Sequence, residues 1–201
     1  MDCIEIFSII KDICISGAAL TTAYVAYTGL EKWHKELRGK ANFEVARELI
    51  KSVYLLRNEL SYCRTPFISS AEFPTGYVER NSDNQQIGEA YHHLFSKRFE
   101  PVGEALNKFD AALLEAEALW GSSIKNKAKD LQNSVSNLRA NFQAFVDDKL
   151  TGGQDFKDKE YAKKVRSTIF DSRPTENELT IKINNAVIAL ENEISPHLSR
   201  D

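Results

Sequence analysis

The hydrophobic pattern of the chain opens with a block instead of an alternation. Residues 13–30, ICISGAALTTAYVAYTGL, form an uncharged run of 18 residues that stops at Glu31. As a helix the run extends about 27 Å at 1.5 Å per residue, close to the hydrocarbon thickness of a bilayer. Ser16, Gly17, Thr21, Thr22, Thr28 and Gly29 dilute it. On hydrophobicity alone it therefore fits a membrane-spanning helix and the buried helix of a soluble bundle equally.

From Ala41 the pattern changes to helical periodicity. Phe43, Ala46, Ile50, Val53, Leu56, Leu60 and Cys63 recur at three- and four-residue spacing and predict one buried stripe, ended by Pro66. This helix can continue straight from the first one through Gly39. Residues 65–86 lack helical rhythm but carry Phe67, Ile68, Phe73 and Tyr77, so they are expected to pack, on their own bundle or on a ligand or neighbouring subunit. A helix follows over about 87–120, with a bend expected at Pro101 and Gly103 and a core of Leu94, Phe95, Val102, Leu106, Phe109, Leu113 and Leu114. "GSS" at 121–123 reads as a stop and a new N-cap. Ala128, Leu131, Val135, Leu138, Phe142 and Phe145 then alternate spacings of three and four, a near-coiled-coil seam. A short helix over 157–170 comes next. A last one carries Leu179, Ile183, Ala186, Val187, Leu190 and Ile194, opened by a capping box of Thr175 and Glu178.

The flanking charges bear on the first run. Lys32, Lys35, Arg38 and Lys40 follow it, with Trp33, Tyr24 and Tyr27 at headgroup level, whereas Asp2, Glu5, Lys11 and Asp12 precede it with no positive excess. The positive-inside rule then puts the N-terminus outside and everything after residue 31 in the cytoplasm. An acidic start argues against a cleaved signal peptide. The segment MDCIEIFSIIKD is itself amphipathic. The expected fold is all-α: a segment of residues 1–30 holding one N-terminal transmembrane helix, then a cytoplasmic bundle of about five helices over residues 31–201. Gly17, Thr21, Tyr24 and Thr28 fall on one narrow helical face, a small and hydroxylated surface suited to helix packing or to lining a polar path between copies. A homo-oligomer is expected.

Composition narrows the function classes. With 42% apolar and 27% charged residues the chain is not disordered, and a net charge of −3 names no partner. Cys3, Cys14 and Cys63 are odd in number and lack metal spacing. No phosphate-binding loop, nucleophile elbow, Cys-x-x-Cys or HExxH occurs, so no enzyme and no cofactor is expected. Glu-x-x-His occurs twice, at Glu31/His34 and Glu89/His92, but the first pair sits in a basic, headgroup-facing cluster, and no metal site is expected. The remaining lead is basic: Arg57 and Arg64 beside Tyr62, Lys97 and Arg98 beside Phe99, and Lys125, Lys127 and Lys129 opening the long helix. Such cations beside aromatics suit phosphates and stacked bases, against the alternative of an ordinary solvated helix surface.

The block GLEKWHKELRGKANFEVARELIKSVYLLRNELSYCRTPFISSAEF, residues 29–73, resembles the front half of small bacterial membrane-anchored helical proteins. In plan the chain is similar to the transmembrane effectors of Hailong-type anti-phage defence. That resemblance implies a homo-oligomeric channel whose cytoplasmic bundle binds a nucleotide or single-stranded DNA ligand made by a partner nucleotidyltransferase. It transfers no binding residue. The alternative is a membrane-tethered adaptor that recruits a protein through residues 65–86. A soluble helical enzyme or regulator would need the first run buried in the core.

Overall fold

The computed structural model describes the backbone of residues 3–198 and the side chains of Lys11 and residues 14–198. The amphipathic reading of residues 1–12, with its flanking Asp2, Glu5 and Asp12, falls on side chains outside that set. Among the described residues every regular element is helical: α1 (Cys3–Cys63), α2 (Asn84–Trp120), α3 (Ser122–Leu150), α4 (Lys159–Ile169) and α5 (Glu178–Ile194), with 3-10 turns at Ser70–Glu72, Glu79–Asn81 and Ser195–His197. The all-α expectation holds, and the first two expected helices are one, continuous through Gly39. The expected transmembrane helix needs correction at the level of these residues: no helix among them is long and apolar enough to cross a membrane. The deficit is in apolarity, because glycine, hydroxyl and tyrosine residues dilute 14–30, and the isoleucines at 4, 6, 9, 10 and 13 are not among the described side chains.

The chain divides into two units, Met1–Glu44 with Arg200–Asp201, and Val45–Ser199. In the first, every described side chain from Cys14 to Ala41 is exposed, including Leu20 at 73% and Trp33 at 64%.

In the second unit α3 is central, with α2, α4 and α5 all packed on it. Its predicted stripe, Ala128 to Phe145, is buried throughout. The latter half of α1 contributes Ala46, Leu49, Val53, Leu56, Leu60 and Cys63 to the same core. Leu49 replaces the expected Ile50, and Phe43 is only half-buried. On α2, Leu114 is 65% exposed, and Ala90, Ala105 and Ala116 are buried where no large residue would fit between helices. Gly88 serves the same close approach, because a Cβ there would overlap the Leu150 side chain. Pro101 lies inside α2 and does not end it. It removes one intrahelical hydrogen bond, a cost offset by the tertiary contacts of Val102 and Ala105 on either side of the next turn.

The helix ends differ from the expected caps. Gly121, at φ 82°, closes α2 and opens α3 as a single-residue reversal, and no side chain caps α3. Ser123 instead donates to Glu193 at 2.8 Å. The cap of α5 is Asn177, whose Oδ1 accepts from Leu179 N and Thr180 N at 3.1 and 3.2 Å, and not the Thr175/Glu178 box.

Of the apolar residues in 65–86, Ile68 and Phe73 pack against the core of their own bundle, whereas Phe67 stands 75% exposed. Phe73 and Tyr77 join a ring cluster with Tyr91 that runs on through Phe145 and Phe95 to Phe142 and Phe170. Burial raises the phenol pKa of Tyr77 and Tyr91, with Glu79 adding to it.

Arg64 ties three helix ends together. Only 1% of its side chain is exposed, and its guanidinium donates to Thr168 O at 2.8 Å, Thr180 Oγ1 at 2.7 Å, Asn177 Oδ1 at 2.7 Å and Ser167 O at 3.4 Å. Asp171 supplies the counter-charge at 3.8 Å, and its backbone N–H donates to Arg64 O at 2.8 Å. Burial pulls the Arg64 pKa down while Asp171 opposes it, and a guanidinium remains charged. Removing it strands buried acceptors and a carboxylate. Arg64→Ala should therefore lower unfolding stability by about 3–5 kcal/mol, and Arg64→Lys, which lacks the planar fork, should recover less than half of that, as read by urea denaturation. A loss below about 1 kcal/mol in Arg64→Ala would remove this residue from the centre of the fold.

Candidate functional site

The residues expected to form a packing face all lie on α1. At 100° per residue Gly17, Thr21, Tyr24 and Thr28 project from one side, all exposed. The threonines are satisfied within their own helix. Thr21 Oγ1 donates to Gly17 O at 2.8 Å and Thr28 Oγ1 to Tyr24 O at 3.0 Å, while Thr22 Oγ1 donates to Ala18 O at 2.9 Å. Such back-bonding removes the penalty of placing a hydroxyl in an apolar setting. Ile15, Ala19, Ala26, Leu30, Trp33 and Leu37 form an apolar stripe on the opposite side.

The seven expected basic residues do not converge. Arg64 is the buried tie described above. Arg98 is nearly buried and fixes the loop after α1: Nε donates to Glu72 Oε2 at 2.6 Å, Nη1 to Thr65 O at 2.6 Å, and Nη2 to Phe67 O at 2.6 Å and Glu72 Oε1 at 3.0 Å. The donors of both arginines are therefore occupied inside the fold. Arg57 lies over the Tyr54 ring at 4.9 Å, Lys97 pairs with Glu100 at 3.8 Å and Lys125 with Glu117 at 3.0 Å. Lys127 and Lys129 are exposed on α3 and two residues apart, which points them to different sides. No cluster of three or more potential metal ligands occurs among the described residues.

A cleft lies elsewhere, beside α4 and the end of α3. It measures about 810 Å³, within the usual range for small-molecule sites. Lys159, Lys163 and Arg166 line it, and their spacing of four and three places them on one face of α4. Arg173 faces them, and Phe156 and Phe170 supply half-buried aromatic surface. Two carboxylates also line the cleft, and both are engaged: Asp148 accepts from Phe156 N at 3.0 Å, and Glu176 pairs with Arg173 at 3.3 Å. Among the described residues Lys159, Lys163 and Arg166 have no ion pair. The result is an electropositive, aromatic-walled recess suited to anions bearing planar rings. The sequence signal for it was the basic excess of residues 121–170 together with the i, i+4, i+7 spacing in KEYAKKVR.

Compared with known proteins, the chain matches no family model, no curated protein and no solved structure.

The Arg98 tie makes a pH prediction. Its hydrogen bonds hold the Glu72 carboxyl below the usual carboxylate range, more than burial raises it. A depressed folded pKa contributes stability above the unfolded value, about 4.3, and loses it as pH falls through the folded value. Glu72→Gln should cost about 1–2 kcal/mol at pH 7 and shrink the difference from wild type below about pH 4, as followed by urea denaturation across pH. A difference that stays constant from pH 7 to pH 3 would argue against the ion pair.

Proposed function

We propose that this protein is a self-associating membrane effector, its N-terminal helix seated in the bacterial inner membrane with the N-terminus outside and its Val45–Ser199 unit in the cytoplasm. The observation that carries the reading is the unbroken exposure of residues 14–41 on both an apolar stripe and a Gly/Thr/Tyr face. Covering a leucine, isoleucine or valine side chain is worth about 1.5–3 kcal/mol, so Ile15, Leu20, Val25 and Leu30 favour any surrounding that removes them from water. Lipid covers the stripe, and copies of the chain meet along Gly17, Thr21, Tyr24 and Thr28, where small residues permit close backbone approach. The membrane part of the reading draws on the isoleucine-rich residues 4–13 of the sequence as well as on 14–30.

In this reading the paired helices form or disrupt a pore during anti-phage defence. A ligand in the cytoplasmic unit selects between two packings by binding one more tightly than the other. A nucleotide or an oligonucleotide from a partner nucleotidyltransferase is the ligand class that the resemblance of residues 29–73 implies. The adaptor alternative has its own support in Tyr62 and Phe67, which stand 74% and 75% exposed beside the loop.

Cys14 offers a direct test. It is exposed, and with Thr21 and Thr28 it repeats every seven residues along the proposed seam. Cys63 stays out of the reaction because burial pushes its thiol up to about 12. In a Cys3→Ser background, mild oxidation of bacterial membranes should yield a Cys14-linked dimer that Thr21→Leu reduces at least severalfold while the protein still fractionates with membranes. Recovery of a detergent-free monomer in the soluble fraction would end the proposal. Retained function after exchange of residues 1–30 for an unrelated anchor would favour the adaptor.

A further inference from the structure

The cleft beside α4 is built for a ligand that α1 does not supply. We infer that it is a binding site for a small phosphate-bearing molecule with a planar ring, the chemical class of a nucleoside polyphosphate. Its row of Lys159, Lys163 and Arg166 covers seven helical rises, about 10.5 Å, and meets one continuous recess. Three cations held on one face repel each other, and among the described residues no carboxylate is paired with any of them. An anion in the recess removes that repulsion, and the arginine can take phosphate oxygens through two parallel donors.

The aromatic surface selects among anions. Phe170 is anchored from behind, with Phe95 and Phe145 at 6.3 Å between ring centroids, and Phe156 rests against Tyr161 at 5.5 Å. Both rings are held by neighbours and both keep a half-exposed surface on the cleft, so a planar ring can lie against them at little ordering cost. Bare phosphate would use only the cations. A ring-bearing phosphate uses both walls of the recess. Asp148 does not oppose the anion strongly, because its side chain is nearly buried and capped by the Phe156 amide. Arg173, paired with Glu176 at the exposed rim, adds a fourth positive group when that pair opens.

The assignment deepens the effector reading, on which its regulatory meaning rests, but its geometry lies wholly within Val45–Ser199.

The test is binding of ATP, inorganic pyrophosphate and adenosine to the purified full-length protein, in detergent if needed, by isothermal titration calorimetry. ATP should bind tighter than pyrophosphate, and adenosine should bind weakest. The double variant Lys163→Glu/Arg166→Glu, at exposed positions, should lose at least tenfold in ATP affinity with an unchanged melting temperature. The triple variant Lys125→Ala/Lys127→Ala/Lys129→Ala should bind as wild type does. Phe156→Leu should weaken ATP severalfold and leave pyrophosphate unaffected. The inference is overturned if ATP does not bind, if both lysine variants lose equally, or if an acidic peptide competes where ATP does not. A soluble monomer that binds ATP through α4 would keep this site and end the anchor reading. A membrane oligomer indifferent to ATP would do the reverse.

Discussion

One buried arginine organises the second unit. The end of α1, the last carbonyls of α4 and the cap of α5 bring polar groups to one buried place. Arg64 connects them, with its donors distributed over Ser167 O, Thr168 O, Asn177 Oδ1 and Thr180 Oγ1. The carbonyls at the end of a helix lack intrahelical donors, and a cation there meets both their hydrogen-bonding need and the negative end of the helix dipole. The core stripes then have fixed ends to pack between. Around this tie α3 takes the middle position, and alanines on α2 let its neighbour approach.

The same residues form part of the wall of the α4 cleft. Ser167 and Asn177 line that recess and also accept from Arg64. Phe170, which follows α4, belongs at once to the ring cluster of the core and to the cleft surface. The recess is therefore backed by residues held in the Arg64 tie and the ring cluster, while its cationic face sits on the short, exposed side of α4. A rigid floor beneath long, hydrated side chains is a common arrangement for small-ligand sites, since only the charged arms must be ordered when a ligand enters.

Sequence periodicity read the helices well where the apolar positions were unambiguous. On α3 the strict alternation of three and four admitted one register, and each of its positions is buried. On α1 the step from Ala46 to Val53 can pass through Leu49 or Ile50, and only tertiary neighbours decide between them. Leu113 and Leu114 posed the same choice on α2. Buried alanines were illegible because a methyl group is a weak hydrophobic signal yet fits a close helix contact. The arginines misled for a different cause. The acceptors of Arg64 lie more than a hundred residues away, with Thr168 at a separation of 104 and Thr180 at 116, so nothing local distinguishes it from a solvated charge. The cleft was half-legible: the cations of α4 stand at one-face spacing, whereas Phe156 and Phe170 reach it only through the turns at either end of that helix.

The threonines of α1 carry a consequence beyond their own hydrogen bonds. Each of Thr21, Thr22 and Thr28 already donates to a carbonyl one turn back, so none depends on water, lipid headgroups or a second protein for a partner. A helix furnished this way changes its surroundings without first having to break an external polar bond. Its choice between a lone existence and company is decided by shape and apolar area, quantities that a single methyl group can alter.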